Sequence, residues 1–131
     1  MKLFWAIAVG AAAGGVSRFY LTVAMQQRFG DAFPWGTLLI NITGSLLLGF
    51  IIRYAMATPS MSLELRLMLT TGFCGGYTTF SAYSYETAVM LEKGDYGRAA
   101  FYSIGSVVLA LLATFAGFMI ARAILGERTS G

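Results

Sequence analysis

A chain of 131 residues in which 57% are hydrophobic and only 11% charged cannot clothe a water-exposed surface, since soluble domains carry about 25% charged residues. Nine Lys/Arg against six Asp/Glu give a net charge of +3, and the basic residues are scattered singly, which speaks against nucleic acid as a partner. There is no histidine and one cysteine, Cys74, which excludes an internal disulfide, a His- or Cys-cluster metal site within one chain, and any Ser-His or Cys-His catalytic pair.

What remains is an all-α membrane protein. Four apolar segments reach the length of about 20 residues that a bilayer-spanning helix needs. The first runs over about residues 3–25 and is interrupted by Arg18. Its opening, MKLFWAIAVGAAAGG, has the charge and small residues of a signal peptide, but the apolar run continues to Met25, too long for a simple signal core. Gly10 and Gly14 stand four apart in it, a spacing that lets helix backbones approach in lipid.

The second segment covers about residues 35–57. Pro34 suits its first turn, and Thr58-Pro59 ends it, because the residue before a proline leaves the helical region. Thr37, Asn41 and Ser45 recur every four residues and share one helix face. Two uses fit Asn41: lining a polar pathway, or bonding a neighbouring helix, since an unpaired amide in lipid costs several kcal/mol. Ser45 and Gly49 form a second small-residue row. Trp5 and Trp35 lie near segment ends, where indoles favour the membrane interface.

The third segment, about residues 65–91, holds the stretch GFCGGYTTFSAYSYE at Gly72–Glu86. Gly75 and Gly76 each weaken a helix by about 1 kcal/mol relative to alanine, and Thr78, Thr79 and Ser81 follow. We expect a helix interrupted at Gly75–Thr78, near mid-membrane. Backbone groups freed there are tolerated only where protein buries them or a cavity receives them. Freed carbonyls suit a cation, and half-helix N-termini suit an anion. A continuous helix whose glycines serve packing is the competing expectation. Phe80, Tyr83 and Glu86 follow at intervals of three and share a broad face.

The fourth segment, about residues 99–121, contains no charge. Tyr102, Ser106 and Thr114 fall on one face, with Ala110 at the intervening position. They form a hydroxyl track, or they bond backbone carbonyls one turn back. Ala113, Gly117 and Ala121 form a third small-residue row. The connections, near residues 26–33, 58–64 and 92–98, leave room for a single domain over residues 1–131. Outside the segments, the side bearing both termini holds Lys2, Arg53, Arg66, Arg122 and Arg128, and the other holds Arg28, Lys93 and Arg98. Five against three is a weak bias under the positive-inside rule, so one loosely specified orientation and insertion both ways fit equally. Four helices make a thin bundle, and a homodimer is the simplest way to enclose a polar path. Arg18 and Glu86, the only ionisable residues well inside the segments, either pair or lie at opposite mouths of such a path.

The motifs GAAAGGVSRFY at Gly10–Tyr20, PWGTLLINITGSLLLG at Pro34–Gly49 and GFCGGYTTFS at Gly72–Ser81 resemble those of the Fluc (CrcB) fluoride ion channels, over nearly the whole chain. The resemblance implies a dual-topology, antiparallel homodimer in the bacterial inner membrane. Two narrow pores would let cytoplasmic fluoride leak out passively, with lipid around them and no organic cofactor. It also implies a structural sodium ion, Na+, at the dimer centre, held by the backbone carbonyls of Gly75 and Thr78 from both subunits. Asn41 matches the family's pore asparagine. Phe80 and position 83 match paired rings that meet fluoride edge-on. Tyr102, Ser106 and Thr114 match a polar track. Glu86 matches a carboxylate at one pore end, Arg18 the arginine of the first span, and Thr37 a vestibule hydroxyl. Thr79 and Ser81 belong to the same pathway motif.

This chain departs from the family pattern at Tyr83, commonly phenylalanine, at Ala82, commonly threonine, and at Ala110, commonly serine. The expectation is a preserved fold with altered or reduced conduction, because the Tyr83 hydroxyl needs a partner inside the ring pair. Two other function classes fit four short spans. A small multidrug-type exchanger would need a carboxylate in the first span, where this chain has Arg18 instead. A membrane assembly subunit would use the polar faces only as interhelical glue. An enzyme is not expected, since Glu86 has no evident nucleophile or metal partner.

Overall fold

The computed structural model describes residues 1–129, with side chains through Gly126, and every regular element among them is helical. Helix α1 (Lys2–Phe29) stops at Gly30, whose φ of 77° is open to glycine and whose N–H returns to the Gln26 carbonyl at 2.8 Å. Helix α2 (Trp35–Met56) follows Pro34, which sits at the N-cap, and gives way to the turn before Pro59. Helix α3 (Leu63–Leu67) is started by Ser62, whose hydroxyl accepts the Leu65 N–H at 3.1 Å. A π-helical stretch, Met68–Cys74, continues it into the single turn α4 (Gly75–Tyr77).

Thr78 and Thr79 are then extended, and α5 (Phe80–Glu92) begins with the Thr79 hydroxyl accepting the Ala82 N–H at 3.1 Å. The third segment is therefore interrupted, but not where the glycines stand. Gly75 and Gly76 are helical, and the break falls at Thr78–Thr79. A turn at Gly94, φ 78°, leads to α6 (Tyr96–Thr129). Its 34 residues give about 51 Å at the helical rise, more than a bilayer core of about 30 Å. Among the described residues, three helices are long and apolar enough to cross a membrane: α1, α2 and α6 through Gly126. The third segment is split into pieces, none of which qualifies by itself.

Two glycine seams hold the bundle together. In the first, α1 lies on the third segment. A Cβ on Gly14 would strike the Phe73 carbonyl and come 2.8 Å from the Tyr77 nitrogen; one on Gly10 would strike the Met68 carbonyl. The glycines opposite reciprocate: a Cβ on Gly76 would sit 2.6 Å from the Ala11 carbonyl, and one on Gly72 2.8 Å from that of Ile7. Gly76 thus serves packing, the competing expectation for this pair, whereas Gly75 has no such close neighbour. In the second seam α2 packs along α6, Gly49 against the Thr114 backbone and Gly117 against Leu46 and Phe50. Ala113 and Ala121 are buried in it, and the Arg53 guanidinium lies over the Phe118 ring, 4.1 Å from its centroid.

These small-residue rows serve contacts within one chain. The buried set is small, with Ile40, Cys74 and Tyr102 its largest fully buried side chains, while Phe19, Leu112, Phe115 and Met119 face outward. Such a body coheres by backbone proximity and dispersion rather than by an oily interior.

Gly14→Ala therefore forces α1 off the third segment and costs about 1–3 kcal/mol. Gly105 has no atom within 4 Å of its would-be Cβ, so Gly105→Ala is neutral or stabilising by up to about 1 kcal/mol. Thermal unfolding in detergent checks both; equal midpoints for the two variants would contradict the seam.

Candidate functional site

The break removes helical partners from several backbone groups, and neighbouring side chains replace them. The Cys74 carbonyl accepts both the Thr78 N–H and the Thr78 hydroxyl, each at 2.9 Å. In an unbroken helix the Thr79 N–H would serve the Gly75 carbonyl. Here it donates to Asn41 Oδ1 at 2.8 Å, while Asn41 Nδ2 donates to the Thr79 carbonyl at 3.1 Å. The amide thus grips one backbone residue from both ends, as a neighbouring strand would. From α1, Arg18 Nε donates to the Gly76 carbonyl at 3.0 Å.

A cleft of about 590 Å³ opens between α2, the break and α6. Asn41, Thr79, Phe80, Tyr83 and Ser106 line it together with Gly75 and Thr78, and no charged side chain does. Ser106 is 6% exposed and its hydroxyl has no hydrogen-bond partner, an arrangement worth an explanation in a native fold. Phe80 is 77% exposed at the cleft edge. Its ring centroid lies 5.3 Å from that of Tyr83, and Tyr83 lies 5.6 Å from Tyr102. The Tyr83 hydroxyl does find a partner, the Ser103 carbonyl, at a long 3.4 Å.

Beyond this ring pair, Glu86 takes two hydroxyl donors, Thr37 at 2.6 Å and Tyr102 at 2.8 Å. Both donors are buried, and Phe33 meets the Tyr102 ring edge-on at 5.5 Å. Thr37 and Glu86 also line a second cleft of about 430 Å³, with Gln26, Asp31 and Trp35 on its walls. Tyr83 lines the first cleft and Glu86 the second, and the buried Tyr102, which lines neither, touches both side chains.

Three candidate residues stand apart. Thr114 bonds back to the Ala110 carbonyl at 3.0 Å and does not line the cleft. The Ser81 hydroxyl is exposed beside Thr79 Oγ1 at 3.3 Å. Arg18 and Glu86 do not pair; each is engaged elsewhere. Ala110 lines the first cleft without a hydroxyl. Thr43 and Tyr77, whose hydroxyls meet at 2.9 Å, were not singled out by sequence. Their partnership joins positions 34 apart on two helices and leaves no local spacing to detect.

Among the described residues no group of three His, Cys, Asp or Glu could hold a metal. At the break the diverted Thr79 N–H relieves the Gly75 carbonyl of its helical donor. Carbonyls of this kind fit a hard monovalent cation.

The model of a family described as "CrcB-like protein, Camphor Resistance (CrcB)" matches residues 5–118. A Geobacter sulfurreducens protein named "Fluoride-specific ion channel FluC" is 48% identical over 122 residues, 93% of this chain and 98% of that protein. A protein of the same name from Rhizobium meliloti is 44% identical, covering 91% of this chain and 95% of its own length. Another from Thermus thermophilus is 39% identical over 96% of this chain and the whole of that protein.

Replacing Asn41 by leucine leaves the Thr79 N–H and carbonyl unpaired at membrane depth, at a cost of about 1–3 kcal/mol. Ser45→Ala, on the same face, costs less than half as much. Chemical or thermal unfolding in detergent measures the difference, and equal losses would show that the clamp holds nothing.

Proposed function

The chain belongs to the CrcB family, and from that premise we propose that it is a fluoride-selective channel, not an enzyme, through which cytoplasmic fluoride leaves passively. The observation that carries this reading is the buried, unpartnered Ser106 hydroxyl in a cleft that no charged side chain lines. Fluoride is small and strongly hydrated, so its path must replace water with donors. Ser106 offers one, the positive edges of Phe80 and Tyr83 offer others, and Asn41 retains one amide hydrogen beyond its bond to Thr79. None is a fixed positive charge, which suits an ion that must leave as readily as it enters. Thr37, Tyr102 and Glu86 form the far end of this path, at the second cleft. Arg18 acts through the Gly76 carbonyl, and Thr114 supports the α2–α6 seam rather than the ion.

The working unit is an antiparallel homodimer with two pores, a multi-pass assembly in the bacterial inner membrane. Two features support it. Phe80 is 77% exposed beside an open cleft, which a second copy would wall. The weak bias of the basic residues, with Lys2, Arg53, Arg66, Arg122 and Arg128 on one side and Arg28, Lys93 and Arg98 on the other, permits insertion both ways. The carbonyls of Gly75 and Thr78 from both copies would hold the structural sodium ion. When bound there it would supply a positive potential to both pores.

Purified protein in fluoride-loaded liposomes tests the reading. Fluoride efflux without a proton gradient is expected. Proton-coupled cation exchange would point to an exchanger, and no flux to an assembly subunit; either overturns it. Ser106→Ala slows efflux about tenfold or more, the value of a donor to a charged group. Tyr83→Phe removes a hydroxyl from the ring pair and speeds efflux severalfold; equal rates would show that Tyr83 does not limit conduction.

A further inference from the structure

Tyr77 is the last helical residue before the break, and three contacts fix it. Its ring stacks on Phe73 with centroids 5.6 Å apart and planes 15° from parallel. It lies against α2 at Gly44, where a Cβ would come 3.0 Å from Tyr77 Cδ2 and would strike the Thr78 methyl. Its hydroxyl is 2.9 Å from Thr43 Oγ1. The single Thr43 hydroxyl proton is already donated one turn back, to the Leu39 carbonyl at 2.8 Å, with the Ile40 carbonyl at 3.3 Å. Tyr77 is therefore the donor of the pair.

On the helical wheel of α2, Gly44 lies between Thr43 and Asn41. The chain runs across this arc: Tyr77 on Thr43, Thr78 on Gly44, Thr79 on Asn41. Helix α2 thus grips the chain on both sides of the interruption. Asn41 acts on the backbone after it, and Thr43, through a side chain, on the turn before it.

We propose that Tyr77 is a positioning residue: its hydrogen bond to Thr43 sets the last turn before the break and so the direction of the Gly75 and Thr78 carbonyls beside the ion path. The proposal rests on the channel reading above. Phenylalanine would serve the Phe73 stack and the Gly44 contact equally well, so a role in packing alone makes the hydroxyl dispensable.

The test compares Tyr77→Phe, Thr43→Val, the double variant and Thr43→Ser, all in the full chain in liposomes. Two quantities are read: fluoride efflux and deuterium exchange at the Thr79 amide. Each of the first two variants should slow efflux and speed exchange about fivefold, the worth of one neutral hydrogen bond. The double variant should match the singles, and Thr43→Ser should behave as the parent chain. Parental exchange in Tyr77→Phe, or effects that multiply in the double variant, overturn the proposal. So does faster exchange with unaltered efflux in a chain that conducts. If the parent chain carries no fluoride, the channel reading fails, while the exchange comparison still decides whether the latch exists.

Discussion

The structure turns on one bond pair: the Asn41 amide holding the N–H and the carbonyl of Thr79. Hydrocarbon offers no water to a backbone group that loses its helical partner, so a break at membrane depth persists only where protein answers the freed groups or a cavity receives them. Asn41 answers two of them, Arg18 answers the Gly76 carbonyl, and the Thr79 hydroxyl caps the helix that resumes. These partners come from α1, α2 and the break itself. The interruption is thereby held open as a defined shape instead of annealing into one helix, and the Gly75 carbonyl loses its usual donor to Asn41.

Holding those partners in place demands close helices, and glycine supplies the closeness. Gly10 and Gly14 interlock with Gly72 and Gly76, so that α1 and the third segment meet backbone to backbone. That proximity brings the Arg18 side chain within reach of Gly76. On the other flank, the α2–α6 seam through Gly49 and Gly117 sets α6 beside the cleft and presents Tyr102 and Ser106. The same residues that make the bundle thin make the site possible. A bulkier core would push the donors out of range.

The polar side chains divide by what they bond. Thr37, Glu86 and Tyr102 satisfy one another across three helices, and Thr114 satisfies itself one turn back. Among the described residues, the Ser106 hydroxyl is the buried one of the cleft left unspent. Tyr83, which keeps the ring but adds an oxygen, parks that oxygen on the Ser103 carbonyl. The ring pair with Phe80 is therefore retained at 5.3 Å despite the extra group.

Composition and segment length determined the helical, membrane-embedded class, because apolar runs of spanning length with so few charges have no other economical home. Residue spacing also revealed the polar faces of α2 and α6 and the weakness of the third segment, since both are properties of a helix read along its own axis. The site of the break was decided elsewhere. Glycine weakens a helix wherever it stands, but Gly76 is held helical by α1, and Thr79 is pulled out of the helix by Asn41. Likewise, spacing put Thr114 in line with Ser106, yet only packing decided that one hydroxyl bonds its own backbone and the other stays buried without a partner. Tyr77 and Thr43, 34 positions apart, carried no signal at all. A hydrogen bond across two helices depends on their rotation and separation, and the glycine seams that set both act between segments that the sequence alone does not pair.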